Sequence, residues 1–477
     1  MKKAWMAVFL VMGLLGASAP AEAKMGSGKV SAKSSDVDIQ IFGSLKTYPT
    51  FLTNSDFNDD ATAFDRILDE GGWMDSASVR NEARLGFSGE GPSWRFLMIL
   101  EADFTYSKAN ADRGANSTDP KDSGFTGEDF GIEKLEFVYD FGPLALQTGW
   151  QTKALDIRTG GLVYGDDHPY IGFTGKFGDA SWEALYLTVQ DDIDPDDGEM
   201  INKWDSDTLD WRVYSGKVNV PVGGLTVSPF YAFSDNEDRR ADVHYLGAEA
   251  FGTFGNFTPR AEIAYAVGDK DVGDDNRDIG ALAAFAALEM KVVPLFNPYL
   301  GGYYVQGDDD ADDGDINAFN PVTNISRYTS VFGMENAFIY RYIPVLGSHL
   351  YSNVPDLLGG AGNGYGGIGN SASANSPGMM SVGVGSKGAH DKWSYKTQFM
   401  YYWLEETGAL EDVEGIDDIG SDLGWEWDLQ LVYQFNKYFS IGNVFALFDP
   451  GNAVQDLRGD DFDDTAILDT IELKWSF

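Results

Sequence analysis

The sequence predicts an all-β chain: a transmembrane antiparallel β-barrel of about eighteen strands, with sixteen as the alternative. Short turns are expected at one rim and long acidic loops at the other. Three observations carry this reading. Polar and apolar residues alternate over many strand-length segments, so each segment is wet on one face and apolar on the other. Short and long connections alternate along the chain, as they do between the two rims of a membrane barrel. Aromatic residues make up 14% of the chain and glycine 56 positions, with no cysteine, and no apolar run after the N-terminus reaches the roughly 18 residues a helix needs to span a bilayer.

The elements follow in chain order. Met1-Lys2-Lys3, an apolar run over 4–15 and the small-residue site Ala21-Glu22-Ala23 read as a signal peptide, 1–23, too short in its apolar part to span. A single barrel domain, 24–477, is then expected. Alternation and turn residues place strands near 37–48, 77–89, 92–106, 130–140, 143–153, 168–177, 180–190, 209–220 and 224–234. Further strands fall near 242–253, 256–268, 278–291, 295–306, 378–387, 391–404, 425–436, 438–449 and 464–477. Segment 180–190 is apolar on both faces, and 209–220 needs a bulge to keep its phase.

Tight turns are marked by Glu90-Gly-Pro, Phe141-Gly-Pro, Gly178-Asp179, Pro221-Val-Gly-Gly, Gly255, Pro294, Gly388-Ala-His and Asn436-Lys437. Long stretches cover 49–76, 107–129, 154–167, 191–208, 269–277, 307–377, 405–424 and 450–463, and 235–241 is of middling length. The 307–377 connection is too long for a bare surface loop. Its glycine-rich run from Gly359 permits tight, irregular backbone. Folding into the lumen as a constriction, an extra hairpin near 331–346 and a mobile external loop all stay open.

Particular strands show the alternation most clearly. In 391–404, Trp393, Tyr395, Phe399, Tyr401 and Trp403 share one face, and Ser394, Lys396, Gln398 and Tyr402 the other. In 425–436, Trp425, Trp427, Leu429, Leu431, Tyr433 and Phe435 oppose Glu426, Asp428, Gln430 and Gln434. From Thr470 to Phe477 the alternation continues, with Ile471, Leu473, Trp475 and Phe477 on the apolar face. Aromatic rings near the ends of an apolar stripe suit the two headgroup regions, because each ring has an apolar body and a polar edge.

The formal net charge of −41 argues against nucleic acid as a partner, since phosphates demand basic surface. Catalytic signals are poor. His168, His244, His349 and His390 lie in separate segments without metal-ligand spacing, and no nucleophile elbow, phosphate loop or dinucleotide fingerprint falls between a strand and a helix. No enzymatic activity and no cofactor are expected. Two acidic runs share a D-x-D-x-D-D-G pattern: Asp192, Asp194, Asp196, Asp197, Gly198 and Asp308, Asp310, Asp312, Asp313, Gly314. The glycine falls one place late for a Ca²⁺-binding EF-hand loop and the twelfth-position Glu is missing. Solvated loops, bridged to lipopolysaccharide by divalent ions, are therefore favoured over a dedicated Ca²⁺ site.

The segments Leu423-Gly-Trp-Glu-Trp-Asp-Leu-Gln-Leu-Val-Tyr-Gln-Phe-Asn-Lys437 and Val444-Phe-Ala-Leu-Phe-Asp-Pro-Gly-Asn-Ala-Val454 resemble the end of the alginate-export family. Gly307-Asp-Asp-Asp, Phe319-Asn-Pro and Tyr328 are similar to that family's loop before the last third of the barrel. Gly160-Gly-Leu-Val-Tyr-Gly-Asp-Asp167 is similar to a segment of porins from sulfate-reducing bacteria. The resemblance implies an eighteen-stranded barrel in the bacterial outer membrane, surrounded by lipid and lipopolysaccharide, with a homotrimer left open. It implies a porin giving passive diffusion of small hydrophilic solutes or ions. A polysaccharide-type export channel, or a closed barrel presenting acidic adhesive loops, are the alternatives.

A barrel of this size leaves an aqueous lumen, and the polar faces then name the residues expected to line it. These are Arg80, Glu82 and Arg84, followed by Arg95 and Glu101, then Lys134 and Glu136. Further round come Arg260 with Glu262, Lys396, Glu426 with Asp428, and Glu472 with Lys474. Two readings stand for these charges: opposed walls that orient solutes and set ion preference, or pairs that brace the wall. On the first reading Arg80, Arg84 and Arg95 form a basic strip.

Overall fold

The computed structural model describes residues 30–33, 36–54, 57, 76–105, 130–156, 158–190, 210–237, 240–272, 275–310, 313–322 and 377–477. The expected signal peptide, the first acidic run at 192–198 and the glycine-rich part of 307–377 lie outside these residues.

Among the described residues there are twenty strands: β1 (Val30–Lys33), β2 (Asp38–Thr53), β3 (Ser76–Gly91), β4 (Trp94–Thr105), β5 (Phe130–Asp140), β6 (Leu144–Ala154), β7 (Gly165–Phe177), β8 (Ala180–Gln190), β9 (Trp211–Val222) and β10 (Leu225–Asn236). They continue as β11 (Ala241–Gly252), β12 (Phe257–Val272), β13 (Asp275–Met290), β14 (Asn297–Val305), β15 (Asp315–Ile316), β16 (Met379–His390), β17 (Trp393–Trp403), β18 (Asp422–Asn436), β19 (Phe439–Pro450) and β20 (Ala466–Ser476). Two short helices, α1 (Gly408–Glu414) and α2 (Asn452–Arg458), lie in the last two long connections.

Apart from β1 and β15, each strand pairs antiparallel with its neighbours in chain order, and β20 pairs with β2 from Ser44↔Ser476 to Thr53↔Ile467. The sheet is thereby a closed barrel of eighteen strands. Closure gives every wall strand a partner on both edges, which hydrocarbon requires because it offers backbone groups nothing to bond. At the seam, Gly43 and Phe477 exchange both backbone hydrogen bonds, at 3.1 and 3.0 Å. The Phe477 ring lies over Gly43, where a Cβ would stand 2.7 Å from it, so only glycine admits this approach. β1 continues the same edge of β2 beyond the seam, pairing Val30↔Ile41 to Lys33↔Asp38.

The two faces of the wall differ as the alternation requires. On β5, Leu135, Phe137 and Tyr139 are exposed, whereas Glu136 and Val138 between them are buried. On β12, Ile263, Tyr265 and Val267 are exposed and Glu262, Ala264 and Ala266 are buried. An apolar outer belt with polar groups turned inward is a membrane-spanning arrangement, since charges facing lipid would cost about 2–4 kcal/mol near the midplane.

All eighteen expected strands are present, with three differences in detail. The irregularity expected in β9 falls on β8, where Val189 is extra between Thr188↔Arg212 and Gln190↔Trp211. The stretch 269–277 is no long loop: β12 and β13 run on as a hairpin to Val272↔Asp275. Its described acids, Asp269, Asp271 and Asp275, are strand residues, and Asp235, Asp242, Asp269 and Asp278 are direct cross-strand partners on β10 to β13. An acidic stretch was therefore mistaken for a loop. Finally, the described start of the 307–377 connection doubles back. β15 pairs parallel with β13 where β14 is too short to cover it, at Asp278↔Asp315 and Ile279↔Ile316.

Candidate functional site

The inner face of the barrel divides into three regions. Along β2 to β8 runs a chain of ion pairs. Lys46 lies 2.7 Å from Glu82, and Glu82 lies 3.0 Å from Arg84. Arg84 also bonds Glu101 and reaches Glu133 at 2.9 Å. Glu133 is the extra residue of a bulge, because Ile99 pairs with Lys134 and Leu100 with Ile132. The bulge turns Glu133 and Lys134 to the same region, and Lys134 donates to Thr152 at 2.7 Å. Beside them Glu136 accepts from Gln151 at 2.5 Å and from the Tyr170 hydroxyl at 2.8 Å. Lys153 sits 3.6 Å from Glu136, donates to Gln147, and stands 3.9 Å from the centre of the Tyr170 ring. Gln147 in turn donates to Glu183. Arg95 approaches Glu136 only to 3.9 Å and its side chain is 63% exposed.

Of the expected basic strip, Arg84 is paired with carboxylates and Arg95 stands 3.9 Å from Glu136. Three carboxylates surround the Arg84 guanidinium, so this wall is braced by lateral pairs. Arg80 lies on β3, opposite Thr105 and Tyr48 in register, but its side chain falls outside the described residues.

The second region is an inward loop that the sequence reading placed outside. Residues 155–156 and 158–164 turn into the barrel, and Leu155, Leu162, Val163 and Tyr164 are buried. The loop closes on itself through Thr159 N to Asp156 O and Val163 N to Asp156 Oδ2. The wall holds it with acidic side chains. Thr159 Oγ1 lies 2.9 Å from Glu249 Oε2 and 2.8 Å from Glu262 Oε2, and Gly160 N donates to Glu262 at 2.6 Å. A Cβ at position 160 would come within 2.7 Å of Phe285 Cβ and 2.9 Å of that same oxygen, so glycine is required. Lys217 meets Glu249 at 2.5 Å and also donates to the Leu155 carbonyl. Tyr164 bonds Ser215, and burial pushes its hydroxyl well above the ordinary tyrosine range.

Residues 313–322 reach the same place from the other side. Ile316, Ala318, Phe319 and Val322 are buried. The Tyr245 hydroxyl donates to the Asn320 carbonyl at 2.5 Å, and Val322 N donates to Val163 O at 2.9 Å. The two inward segments therefore touch. At the root of the second, Asp308 accepts from Asn317 N at 3.1 Å. Burial, with Asp313 and Asp309 nearby, pushes its carboxyl up to about 6.

The third region lies on β12 to β18. Arg260 stands within electrostatic reach of Glu289, which Lys387 meets at 2.9 Å. Lys396 pairs in register with Lys387 and lies 5.8 Å from the centre of the Tyr299 ring. Between the two lysines is a cavity of about 340 Å³ bordered by Asn297, Tyr395 and Gln430. Asp428 accepts from Gln398 at 2.8 Å, and Glu426 is fully buried on the same face. Glu472 and Lys474 are part-buried on β20, where Lys474 pairs in register with Lys46.

The structure does not gather the fourteen expected residues into one site. Glu82, Arg84, Glu101 and Glu136 belong to the braced wall with Lys134 and Arg95, Glu262 to the loop cradle, and Arg260, Lys396, Glu426 and Asp428 to the opposite wall. Lys153, Lys217, Glu249, Glu289 and Lys387 were missed. Their inward phase was legible from alternation on β6, β9, β11, β13 and β16. Glu133 was not, because the bulge reverses its face. Among the described residues no group of His, Asp and Glu side chains is arranged to hold a metal ion, and Asp308 of the second acidic run points into the protein.

No protein family matches the chain, and no curated protein matches it. Among solved structures it is similar to Pseudomonas aeruginosa OccK11 (OpdR), at 10% identity and a TM-score of 0.51, over 92% of this chain and 96% of that one. It is similar to Pseudomonas aeruginosa OpdL at 9% identity and a TM-score of 0.51, over 92% and 98%. The structure of Pseudomonas aeruginosa OccK2 (OpdF) in complex with glucuronate matches at 10% identity and a TM-score of 0.50, over the same shares. At such identities the likeness concerns the fold alone: the chain shares with these structures the closed antiparallel β-barrel.

Proposed function

We propose that this protein is a non-enzymatic outer-membrane porin giving passive diffusion of small hydrophilic solutes. The observation that carries the reading is the closed eighteen-strand wall whose inward charges are paired laterally, along the wall, rather than across the barrel. Eighteen strands enclose more space than wall side chains fill, and lateral pairing leaves polar surface beside that space. The inward loop, 155–156 with 158–164, and residues 313–322 narrow the passage, so the part of 307–377 that is described supports a constriction. On this reading Arg84, Glu101, Lys134, Glu136, Arg260, Lys396 and their partners line the route. The solved neighbour OccK2 is recorded with glucuronate, which supports small polar solutes as cargo. The finer resemblance to the alginate-export family rests on residues 423–437 and 444–454, and assembly as a trimer among lipopolysaccharide belongs to the same proposal.

Liposomes loaded with the purified protein test this directly. Swelling should be fast in small neutral sugars and fall steeply as sugar size grows. Liposomes that do not swell in any sugar would show a sealed barrel. Swelling that is indifferent to size would contradict a constricted passage.

A further inference from the structure

On the outer face of β17 to β20, five aromatic rings form a continuous row just above the short-turn rim. Trp393 lies 4.8 Å from Tyr433 and Tyr433 4.6 Å from Phe435, centre to centre. Phe435 is 5.2 Å from Phe439, and Phe439 4.9 Å from Trp475. Phe435 and Trp475 are exposed, and farther from the rim exposed Phe399 and Ile471 continue the apolar face.

Two ammoniums stand in the turns directly below the row. Lys392, between β16 and β17, donates to the Phe435 carbonyl at 2.9 Å and lies 5.9 Å from the centre of the Tyr433 ring. Lys437, between β18 and β19, is exposed and lies 4.5 Å from the centre of the Tyr438 ring. Gln434 N donates to the Lys392 carbonyl at 2.8 Å, so the two turns are held side by side. The acid of these turns, Asp391, has the His390 ring at 3.7 Å. The sign is the reverse of that at the far rim. There Asp242 and Asp269 pair in register, in phase with exposed Leu246 and Val267, as befits a chain of net charge −41.

Short turns of such barrels face the periplasm, which puts the row of rings at the headgroup level of the phospholipid leaflet, where aromatic side chains gather. Each ammonium carries three N–H donors, and Lys392 uses one on Phe435, so donors remain for a phosphate. A zwitterionic headgroup would bring its own cation up to two lysines; a headgroup of net negative charge does not. We propose that β17 to β20 form a seat for an anionic phospholipid of the periplasmic leaflet. Lys392 and Lys437 hold its phosphate, and its acyl chains lie along the rings and the apolar face beyond them. The proposal rests on the outer-membrane placement of the barrel and not on passage through it, so a barrel that is silent in bilayers leaves it standing.

Native mass spectrometry of the purified full-length protein, titrated with phosphatidylglycerol or phosphatidylcholine of identical acyl chains, tests the seat. The first phosphatidylglycerol adduct should form at the lower concentration, by about fivefold per lysine, the usual gain from a cation beside anionic lipid. Lys392→Gln with Lys437→Gln should bring the two lipids together. Lys176→Gln with Lys291→Gln, exposed lysines at other short turns, should keep the preference. Should the first pair fail to give a compact barrel, Lys437→Gln alone, at an exposed position, should reduce the preference about fivefold. Equal binding of the two lipids by the wild type, or a preference that survives loss of both lysines, overturns the seat. So does a preference lost in the control pair, which would trace it to diffuse charge. A multimer without lipid adducts that Lys392→Gln with Lys437→Gln splits would put a second copy of the chain on this face and equally overturn it.

Discussion

Replacing Arg84 by Glu should prevent the barrel from reaching its folded, heat-modifiable form, whereas Arg95→Glu should leave assembly close to wild type. Arg84 is 21% exposed in its side chain and holds Glu82, Glu101 and Glu133, with Lys46 also on Glu82. Removing one partner of a buried pair costs about 3–5 kcal/mol because a charge is left uncompensated. Partial exposure reduces that figure, but the reversal also sets a fourth carboxylate beside three others. Arg95 is 63% exposed and 3.9 Å from Glu136, a contact worth about 0–1 kcal/mol. The measurement is the temperature at which the compact band on a gel converts to the unfolded one. A compact Arg84→Glu barrel with wild-type heat stability would show that these pairs do not brace the wall.

The second large effect is expected at the seam. Deleting Phe477, or replacing Trp475 and Phe477 together by Ser, should leave the protein exported but poorly assembled. Deletion removes both hydrogen bonds to Gly43, worth about 1 kcal/mol each. The double replacement removes the Trp475 stack on Phe439, whose ring centres are 4.9 Å apart, and two exposed apolar side chains on the outer face. A stacked pair adds about 0.5–1.5 kcal/mol beyond its area. The loss falls on the pairing that closes the sheet, so a failure there exposes two strand edges. Normal yield of compact barrel from these variants would contradict this account of closure.

Much of the architecture was legible because a barrel wall repeats one local rule. Inward and outward residues alternate, so Gln398 and Tyr402 against Phe399, or Glu426 against Trp427, could be assigned without a structure. The rule failed where pairing, not periodicity, decides. The Glu133 bulge reverses one side chain's face and thereby completes the set around Arg84. The β12–β13 hairpin keeps acids in register that looked like a loop. The inward loop was misplaced because loops carry no period. A signal was nevertheless present: Leu162-Val163-Tyr164 is an apolar triplet with no strand to belong to, and such residues seek burial. Contacts between distant segments, such as Val322 with Val163, left no trace that local reasoning could use.

The central claim is that a constricted aqueous passage runs through the braced wall. Single-channel recording of the purified full-length protein in a planar bilayer tests it most directly. Discrete conductance steps should appear, with a unit size that grows when the inward loop is loosened by Thr159→Ala, which removes its contacts to Glu249 and Glu262. A folded, inserted protein that gives no steps in either form would show that the barrel is closed and that its inward segments are a plug.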